Sequence, residues 1–504
     1  MRPGSHPVES VAYCVRALRR RSCVLGAGVS FFLAAATCAA TAQDDVTTQN
    51  GASAFDGGWI TGPASNPLSF LNGPAFRTTG SKERYDFPDF APAVDLNSKL
   101  PHWILLGTEE RFRNEGYWNG SFKQGSDDKY LLNRFRFSMT LHAGSWFRVS
   151  AQVQDARPFF ENPPIGPPNE NRWDLKIAYA EIGDPEKHWF SLRVGRQLMN
   201  YNNTIVANSE WRDQGRSYDA AVVNLKKGNA HVGIFAASAV VPQESGVSPH
   251  QEGNNLYGAY GRIDNLIPHS TLEPFELWRV QPAEVVEAAL SKATGKEDMH
   301  ATGLRLKGRG DEAFDYSGEV VVENGRVGTE TVRAWGTTDG VAYQFNGTAG
   351  HPRIFSQYDF ASGSSAPGSG VHGTFDTIYP TAHDRFGILD QFGWQNIEAV
   401  RAGSTVEPHR RLSVSAQGLD FWTASALDAA YNTSGGAIVS NKVNNGRHVG
   451  AEGDIYSWYE LNRHFNFGGG YGWFGGGSFL AHVTTSHSYS GYYFVLNFKD
   501  NGKK

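Results

Sequence analysis

Residues 130–144, YLLNRFRFSMTLHAG, alternate with a period of two. Leu131, Phe135, Phe137, Met139, Leu141 and Ala143 fall on one side, broken only by Asn133. Tyr130, Leu132, Arg134, Arg136, Ser138, Thr140 and His142 fall on the other. Successive side chains of a β-strand point to opposite faces, so this is a strand with one oily face and one polar face. The two faces must meet different surroundings, and the polar one carries two arginines side by side.

The pattern recurs along the chain. Residues 103–114 set Ile104, Leu106, Thr108 and Phe112 against Glu109, Arg111 and Arg113. Residues 146–155 set Phe147, Val149, Ala151 and Val153 against Arg148, Ser150, Gln152 and Gln154. Residues 190–197 set Phe190, Leu192 and Val194 against Ser191, Arg193 and Gln197, and residues 299–308 set Thr302, Leu304 and Leu306 against Ala301, Arg305 and Lys307. Further strands are expected at about 217–227, 230–241, 255–264, 313–324, 329–346, 352–361, 398–407, 410–422, 447–458, 463–474 and 490–498. Segments of about ten residues match a tilted membrane strand, and counting turns gives roughly 16–18 of them. No internal repeat of fixed period appears, which weighs against a solenoid or propeller.

Composition fits that reading. Aromatics make up 13% of the 504 residues and there are 57 glycines. No apolar run approaches the ~20 residues of a membrane helix. The N-terminus reads as a secretory signal: basic Arg16, Arg19, Arg20 and Arg21, an apolar stretch from Cys23 to Ala36, and an Ala40-Thr41-Ala42 cleavage site before Gln43. Cys14, Cys23 and Cys38 all fall inside it, so a mature chain would carry no disulfide or thiol chemistry. Removing residues 1–42 takes away five arginines and Glu9, a net +4, so the formal charge of −5 becomes −9. That balance argues against nucleic acid as a partner. It also sharpens the question of why an acidic chain groups arginines on particular strand faces.

The expected organisation is a signal peptide over 1–42, a polar N-terminal segment over 43–100, and a barrel over 101–504. Three long connections stand out. They are the Pro- and Asn-rich 157–172; 266–297, with a helical pattern in PAEVVEAALSKA (282–293); and 362–396, the longest. Long loops of this kind tend to be functional, and in a barrel they sit outside or fold into the lumen. The terminal strand alternates Tyr492, Phe494, Leu496 and Phe498, an aromatic ending typical of outer-membrane barrels, followed by KDNGKK.

A closed barrel gives its faces different solvents: lipid outside, water inside. Arginines in a narrow lumen focus a positive field and select anions, and a guanidinium fits a carboxylate with two parallel hydrogen bonds. The plainer reading is that lumenal arginines pair with Asp or Glu to stiffen the interior: Glu109 and Glu110 lie close in sequence to Arg111 and Arg113, and Glu319 and Glu323 recur on a later strand.

Four motifs in order carry a family resemblance. They are RVGRQLMNYNNTIVANSEWRDQGRSYDAAVV, with Gly195-Arg196-Gln197, Trp211, Arg216 and Asp219; FDYSGEVVVENG; TFDTIYPTAHDRFGILDQFGWQNIEAVRAGS, with Tyr379-Pro380-Thr381, His383, Gly387, Asp390 and Trp394-Gln395-Asn396; and HVGAEGDIYSWYELNRHFNFGGGYGWFGGGSFL, with Gly450, Glu452 and Asp454. From about Trp103 to Phe498 the chain resembles the bacterial alginate export family of outer-membrane barrels. The resemblance implies a monomeric barrel of about eighteen strands with an arginine-lined lumen that passes acidic polysaccharide, gated by loops. By motif position it places Arg196, His383 and Arg385 near the constriction. The chain departs from the family in a longer Gly/Ser-rich loop before Thr374 and in a closing glycine motif without proline.

Other chemistries fare worse. His482, Ser486, His487 and Ser488 invite a hydrolase reading, but no G-x-S-x-G is present. The spacing of His482 and His487 puts them on opposite faces of a strand, so they make no metal site. Trp458, Tyr459, Trp473, Tyr492 and Tyr493 read as an interfacial aromatic belt ahead of sugar-stacking platforms. The expectation is thus an all-β, transmembrane antiparallel barrel with no enzymatic activity, no cofactor and no metal. It would sit in the outer membrane as a monomer and pass an anionic polysaccharide or oligosaccharide, with periplasmic export components as partners. Arg111, Arg113, Arg134, Arg136, Arg148, Arg193 and Arg196 are the expected lumenal cations, joined by Arg305, Arg333, His383 and Arg385. The alternatives are a periplasmic all-β carbohydrate-binding protein and a small-anion or oligosaccharide uptake porin.

Overall fold

The computed structural model describes residue 97 and residues 99–500, apart from 163–165, 167–168, 185–186, 203, 283–294, 311–312, 382, 441–445, 463 and 482. The signal-like segment 1–42, nearly all of 43–100, the helical pattern from Ala283 onward, the three cysteines and His482 lie outside the described residues.

Eighteen strands form the barrel. They are β1 (Ile104–Trp118), β2 (Asp128–Ala143), β3 (Phe147–Phe159), β4 (Asn171–Ile182), β5 (Phe190–Gln197), β6 (Tyr218–Lys227), β7 (Ala230–Val240), β8 (His250–Asp264) and β9 (Ser270–Gln281). There follow β10 (Glu297–Arg309), β11 (Phe314–Val327), β12 (Glu330–Gln344), β13 (Arg353–Ala361), β14 (Ile397–His409), β15 (Leu412–Thr423), β16 (His448–Glu460), β17 (Phe465–Gly476) and β18 (Ser488–Asp500). Each strand pairs antiparallel with the next, and β18 pairs back onto β1, with Arg111 opposite Asn497 and Glu115 opposite Tyr493. Closure leaves no free edge, which is what a sheet needs to cross lipid.

Exposure sorts the two faces. Along β2, Phe137 and Met139 are exposed while Arg134, Arg136, Ser138 and Thr140 are buried, so the oily side of the opening motif faces outward. Val149, Val153, Val194, Ile234, Leu304, Val320, Val322, Val400, Ile455 and Phe494 continue the outer band. Exposed aromatics flank it: Trp103, Trp146 and Trp189 towards one end, Phe159, Phe160, Trp173 and Trp473 towards the other. These are the interfacial girdles of a membrane barrel. Short turns such as 144–146 and 228–229 join strands at the end where β1 begins and β18 stops, and the long connections gather at the opposite end. In outer-membrane barrels these ends are periplasmic and extracellular, respectively.

Two of the long connections, 198–217 and 362–396, fold back into the barrel. Met199, Ile205, Val206, Phe375, Phe392 and Trp394 from these inner loops share one hydrophobic cluster with the inward residues Phe235, Leu256, Phe275, Val321, Phe421 and Phe474. Each such side chain contributes roughly 1.5–3 kcal/mol by leaving water. The loops also hold one another, since the Ala207 N–H donates to the Tyr379 carbonyl at 2.7 Å and the Tyr379 N–H to the Ile205 carbonyl at 2.9 Å.

Two strands were not foreseen. β4 begins at the end of the Pro-rich 157–172 stretch, and β9 lies inside the 266–297 connection, which was expected to be a loop. Pro274 punctuates β9 and reads locally as a turn. It sits on the exposed outer side, and the β8–β9 ladder skips there, from Tyr260–Phe275 to Ile263–Leu272. Phe275, Leu277 and Arg279 nevertheless keep strict inward alternation with exposed Pro274 and Trp278.

Candidate functional site

The geometry starts from β1 and β2. Their register places Arg111 opposite Arg134 and Glu109 opposite Arg136, so the arginines of both strands share one inward patch. Unopposed, adjacent guanidiniums repel. What settles over them is the tip of the first inner loop, residues 209–215, SEWRDQG. Its neck is pinned by the Arg216 N–H donating to the Asn208 carbonyl at 2.5 Å. Gly215 turns the tip with φ +60°, a backbone conformation that favours glycine, and a Cβ there would lie 2.9 Å from both Glu210 Oε1 and Lys176 Nζ.

The tip delivers two carboxylates and three carbonyls to the cations. Arg136 Nη1 donates to Glu210 Oε2 at 2.5 Å, and its Nε to Gln154 Oε1 at 2.6 Å. Arg134 bonds the Glu109 carboxylate and the Glu210 carbonyl, the latter at 3.1 Å. Arg111 donates to the Glu210 and Trp211 carbonyls, both at 2.9 Å, and to the Asp213 carboxylate. Arg113 bonds the Trp211 carbonyl, lies 3.5 Å from Asp213 and pairs with Glu115 at 2.6 Å. Lys176, from β4, donates to the Gln214 carbonyl at 2.5 Å. Burial alone would raise the Glu210 carboxyl, but Arg136, Lys176 and Arg134 outweigh it and hold its pKa at about 2. Asp213 is lowered likewise, burial being outweighed by Arg111, Arg113 and Arg134.

Trp211 couples this patch to the second inner loop. The Arg113 guanidinium lies 4.5 Å over its ring, and His383 stacks on it at 3.6 Å with planes 4° apart. His383 Nδ1 is 2.9 Å from Asp390, whose pKa is raised by burial against the opposing pull of His383. Tyr493 touches both rings edge-on, at 5.0 and 5.9 Å. It is buried inside the barrel, which corrects its assignment to the outer aromatic belt; Tyr492, next to it, lies on the outer side with exposed Phe494.

The other expected cations sit as follows. Arg148 and Arg193 share the fully buried Glu181. Arg196 forms a two-pronged pair with Asp219, at 2.8 and 3.0 Å. Gly195 beside it has φ +121°, and a Cβ there would meet the Ala178 carbonyl oxygen at 2.3 Å. Arg305 lies 3.5 Å from Glu273 and 3.9 Å from Glu319. Arg385 pairs with Asp359 at 2.9 Å and stacks 4.1 Å over Trp394. Arg333 departs from expectation. It is exposed on the outer side of β12, because Val332 and Ala334 take the inward positions. The arginines therefore do not line open water: Arg111, Arg113, Arg134, Arg136, Arg193, Arg196 and Arg305 are all buried and all ion-paired.

An acidic sector completes the interior. Glu452 and Asp454 on β16 accept the Leu389 and Ile388 N–H groups at 3.1 and 3.2 Å, and Gln417 donates to Asp454 at 2.7 Å. Arg401 binds Asp384 at 3.1 Å, and Arg279, absent from the expected set, binds Glu297 at 2.5 Å and the Asp376 carboxylate. Among the described residues no group of three or more His, Cys, Asp or Glu side chains is arranged to hold a metal ion. Sequence reasoning passed over Lys176, Glu210 and Asp213, whose partners lie 38 to 102 residues away in sequence.

Residues 102–495 match the family model described as alginate export. The chain belongs to the alginate export family. No curated protein matches. Solved structures share the fold at low identity. Pseudomonas aeruginosa OpdQ has a TM-score of 0.53 and 8% identity, covering 79% of this chain and 98% of that one. Pseudomonas aeruginosa OpdK, solved with vanillate, has a TM-score of 0.52 and 9% identity over 78% and 98%. Acinetobacter baumannii OccAB2 has a TM-score of 0.52 and 10% identity over 78% and 97%. Family and fold make this member an outer-membrane barrel channel of the porin kind. The closed barrel and its outer apolar band remove the alternative of a soluble periplasmic binding protein.

Proposed function

We propose that the channel passes carboxylated solutes by passive diffusion, with an alginate-like acidic polysaccharide or its oligomers as cargo. One observation carries the reading: five cations of β1, β2 and β4 converge on a single inward patch and already hold carboxylates there. A patch that binds Glu210 and Asp213 has the chemistry to bind uronate carboxylates, which guanidinium forks meet with two parallel hydrogen bonds. Membership of the alginate export family supports the same cargo class. Passive diffusion has no direction built into a lumen, so periplasmic export components would supply it, and the barrel would work as a monomer.

A second reading, a porin for small anions, is favoured by the apolar packing of the inner loops, which narrows the interior. The two separate in a planar bilayer. Reversal potential under a KCl gradient reports ion preference, and added oligouronate tests for polymer. Anion preference with uronate block supports the polysaccharide reading. Anion preference without block supports the small-anion porin. A cation-preferring channel refutes both.

A further inference from the structure

We propose that Arg111, Arg113, Arg134, Arg136 and Lys176 form a two-carboxylate binding site whose resident occupant is the loop tip, and that polyanionic cargo enters by replacing Glu210 and Asp213. The inference rests on the anion-channel reading above and adds how that site is held shut. The tip is an internal surrogate of the cargo.

Three observations converge. First, the tip offers the patch two carboxylates three residues apart together with the carbonyl oxygens of Glu210, Trp211 and Gln214. Successive units of an acidic sugar chain offer the same chemistry, a carboxylate on each unit with hydroxyl and ring oxygens between. Second, the tip satisfies the cradle incompletely. Nε of Arg111 and of Arg134 and Nη2 of Arg136 are buried with no hydrogen-bond partner, as are Glu210 Oε1 and Asp213 Oδ2. A ligand that fills those donors exchanges for the tip on favourable terms, because a buried unpaired donor is costly. Third, the tip is a separable unit. Its neck closes on itself between Asn208 and Arg216, and the barrel ladder runs from β5 directly to β6 without using residues 209–215. It can leave the cradle with every strand pair intact. Trp211, wedged between Arg113 and His383, would then release its contact with the second inner loop.

The test uses the full chain refolded into detergent and reconstituted in planar bilayers. Three forms are compared: the parent, the double variant Glu210→Gln/Asp213→Asn, and a tethered form. The tethered form carries Gln154→Cys and Gln214→Cys, with Cys14, Cys23 and Cys38 replaced by serine, bridged by a short thiol-cleavable reagent. Gln154 Nε2 reaches the Gln214 carbonyl at 3.4 Å, so the bridge pins the seated tip. In the double variant, conductance rises and the half-blocking oligouronate concentration falls by about tenfold, the low end of the enhancement that a focused like-signed cleft gives. Oligouronate blocks at lower concentration than glucuronate, which has one carboxylate. The tethered form conducts less and resists block, and cleaving the tether restores both. Should the double variant fail to give the heat-modifiable mobility of a folded barrel, the tethered form alone decides. A parent channel that does not prefer anions overturns the cargo reading itself. A parent that prefers anions and is blocked by oligouronate, with block and conductance unmoved by either modification, overturns the surrogate tip and leaves the cargo reading standing.

Discussion

Glu210→Gln tests how tightly the loop tip is seated. The Arg136, Lys176 and Arg134 charges, acting against burial, lower the Glu210 carboxyl from 4.5 to about 2. At 1.36 kcal/mol for each tenfold change in proton affinity, that lowering puts about 3 kcal/mol into the seated state at neutral pH. Glutamine keeps an acceptor for Arg136 but loses the charge, so part of this survives and the expected loss is about 1.5–3 kcal/mol. Local opening of 209–215 should therefore become roughly tenfold to a hundredfold more frequent. Hydrogen exchange in detergent reads it at the Asp213 amide, bonded to Asn169 Oδ1. Amides in the β1–β2 ladder serve as the unmoved control. The pH dependence has a fixed sign. A carboxyl with a lowered folded pKa stabilises fully above its ordinary 4.5 and loses that contribution as pH falls through about 2. The gap between parent and variant should stay constant from pH 8 to pH 5 and close under stronger acid. Equal protection of the Asp213 amide in parent and variant at pH 7 would refute the electrostatic account of the seat.

Arg333→Ala should leave the reversal potential unchanged, since Arg333 lies on the outer side of β12; a shift as large as that from Arg134→Gln/Arg136→Gln would place it in the pathway after all. Ile455→Lys, at a 55% exposed position midway along β16, should cost about 2–4 kcal/mol in lipid, read as lost folded fraction on refolding into vesicles, while Ser457→Lys nearer the short-turn rim costs less. Gly195→Val should slow or prevent barrel closure, because the left-handed backbone and the 2.3 Å approach to the Ala178 carbonyl oxygen leave no room for a side chain; a normal yield of heat-modifiable barrel would show that β4 and β5 yield there.

What was legible in the sequence was the part fixed by period. Alternation located sixteen of the strands to within a few residues and assigned the faces of β1, β2 and β3 correctly, because a one-residue slip would turn every apolar side chain from lipid to lumen. It failed at β9, where Pro274 imitates a turn and only the surrounding barrel shows that the ladder resumes beyond it. It failed at Arg333, since an arginine near a strand end is tolerated on either face and carries no inward signal of its own. The loop tip was illegible for another reason. Glu210 and Asp213 meet Arg136 and Arg111 across sequence separations of 74 and 102 residues, and nothing local in either segment announces the partner.

The puzzle of arginines grouped in an acidic chain has a physical resolution in that pairing. Cations on facing positions of β1 and β2 repel at short range in an interior of low dielectric, and a guanidinium does not escape by releasing its proton. A barrel with a permanent anion-binding patch must therefore neutralise it while idle. Carboxylates fixed on strands, such as Glu109 and Glu181, do so irreversibly and would spoil a binding site if they did all of it. Carboxylates on a loop whose neck closes on itself do so reversibly. The arrangement seen here divides the work: Arg148, Arg193 and Arg196 are matched by strand carboxylates, whereas Arg111 and Arg136 take their closest carboxylates from the tip. That division is what a gate made of charge requires. On the proposed reading, the static pairs keep the wall rigid, and the tip pairs are the ones with which a carboxylated guest would compete.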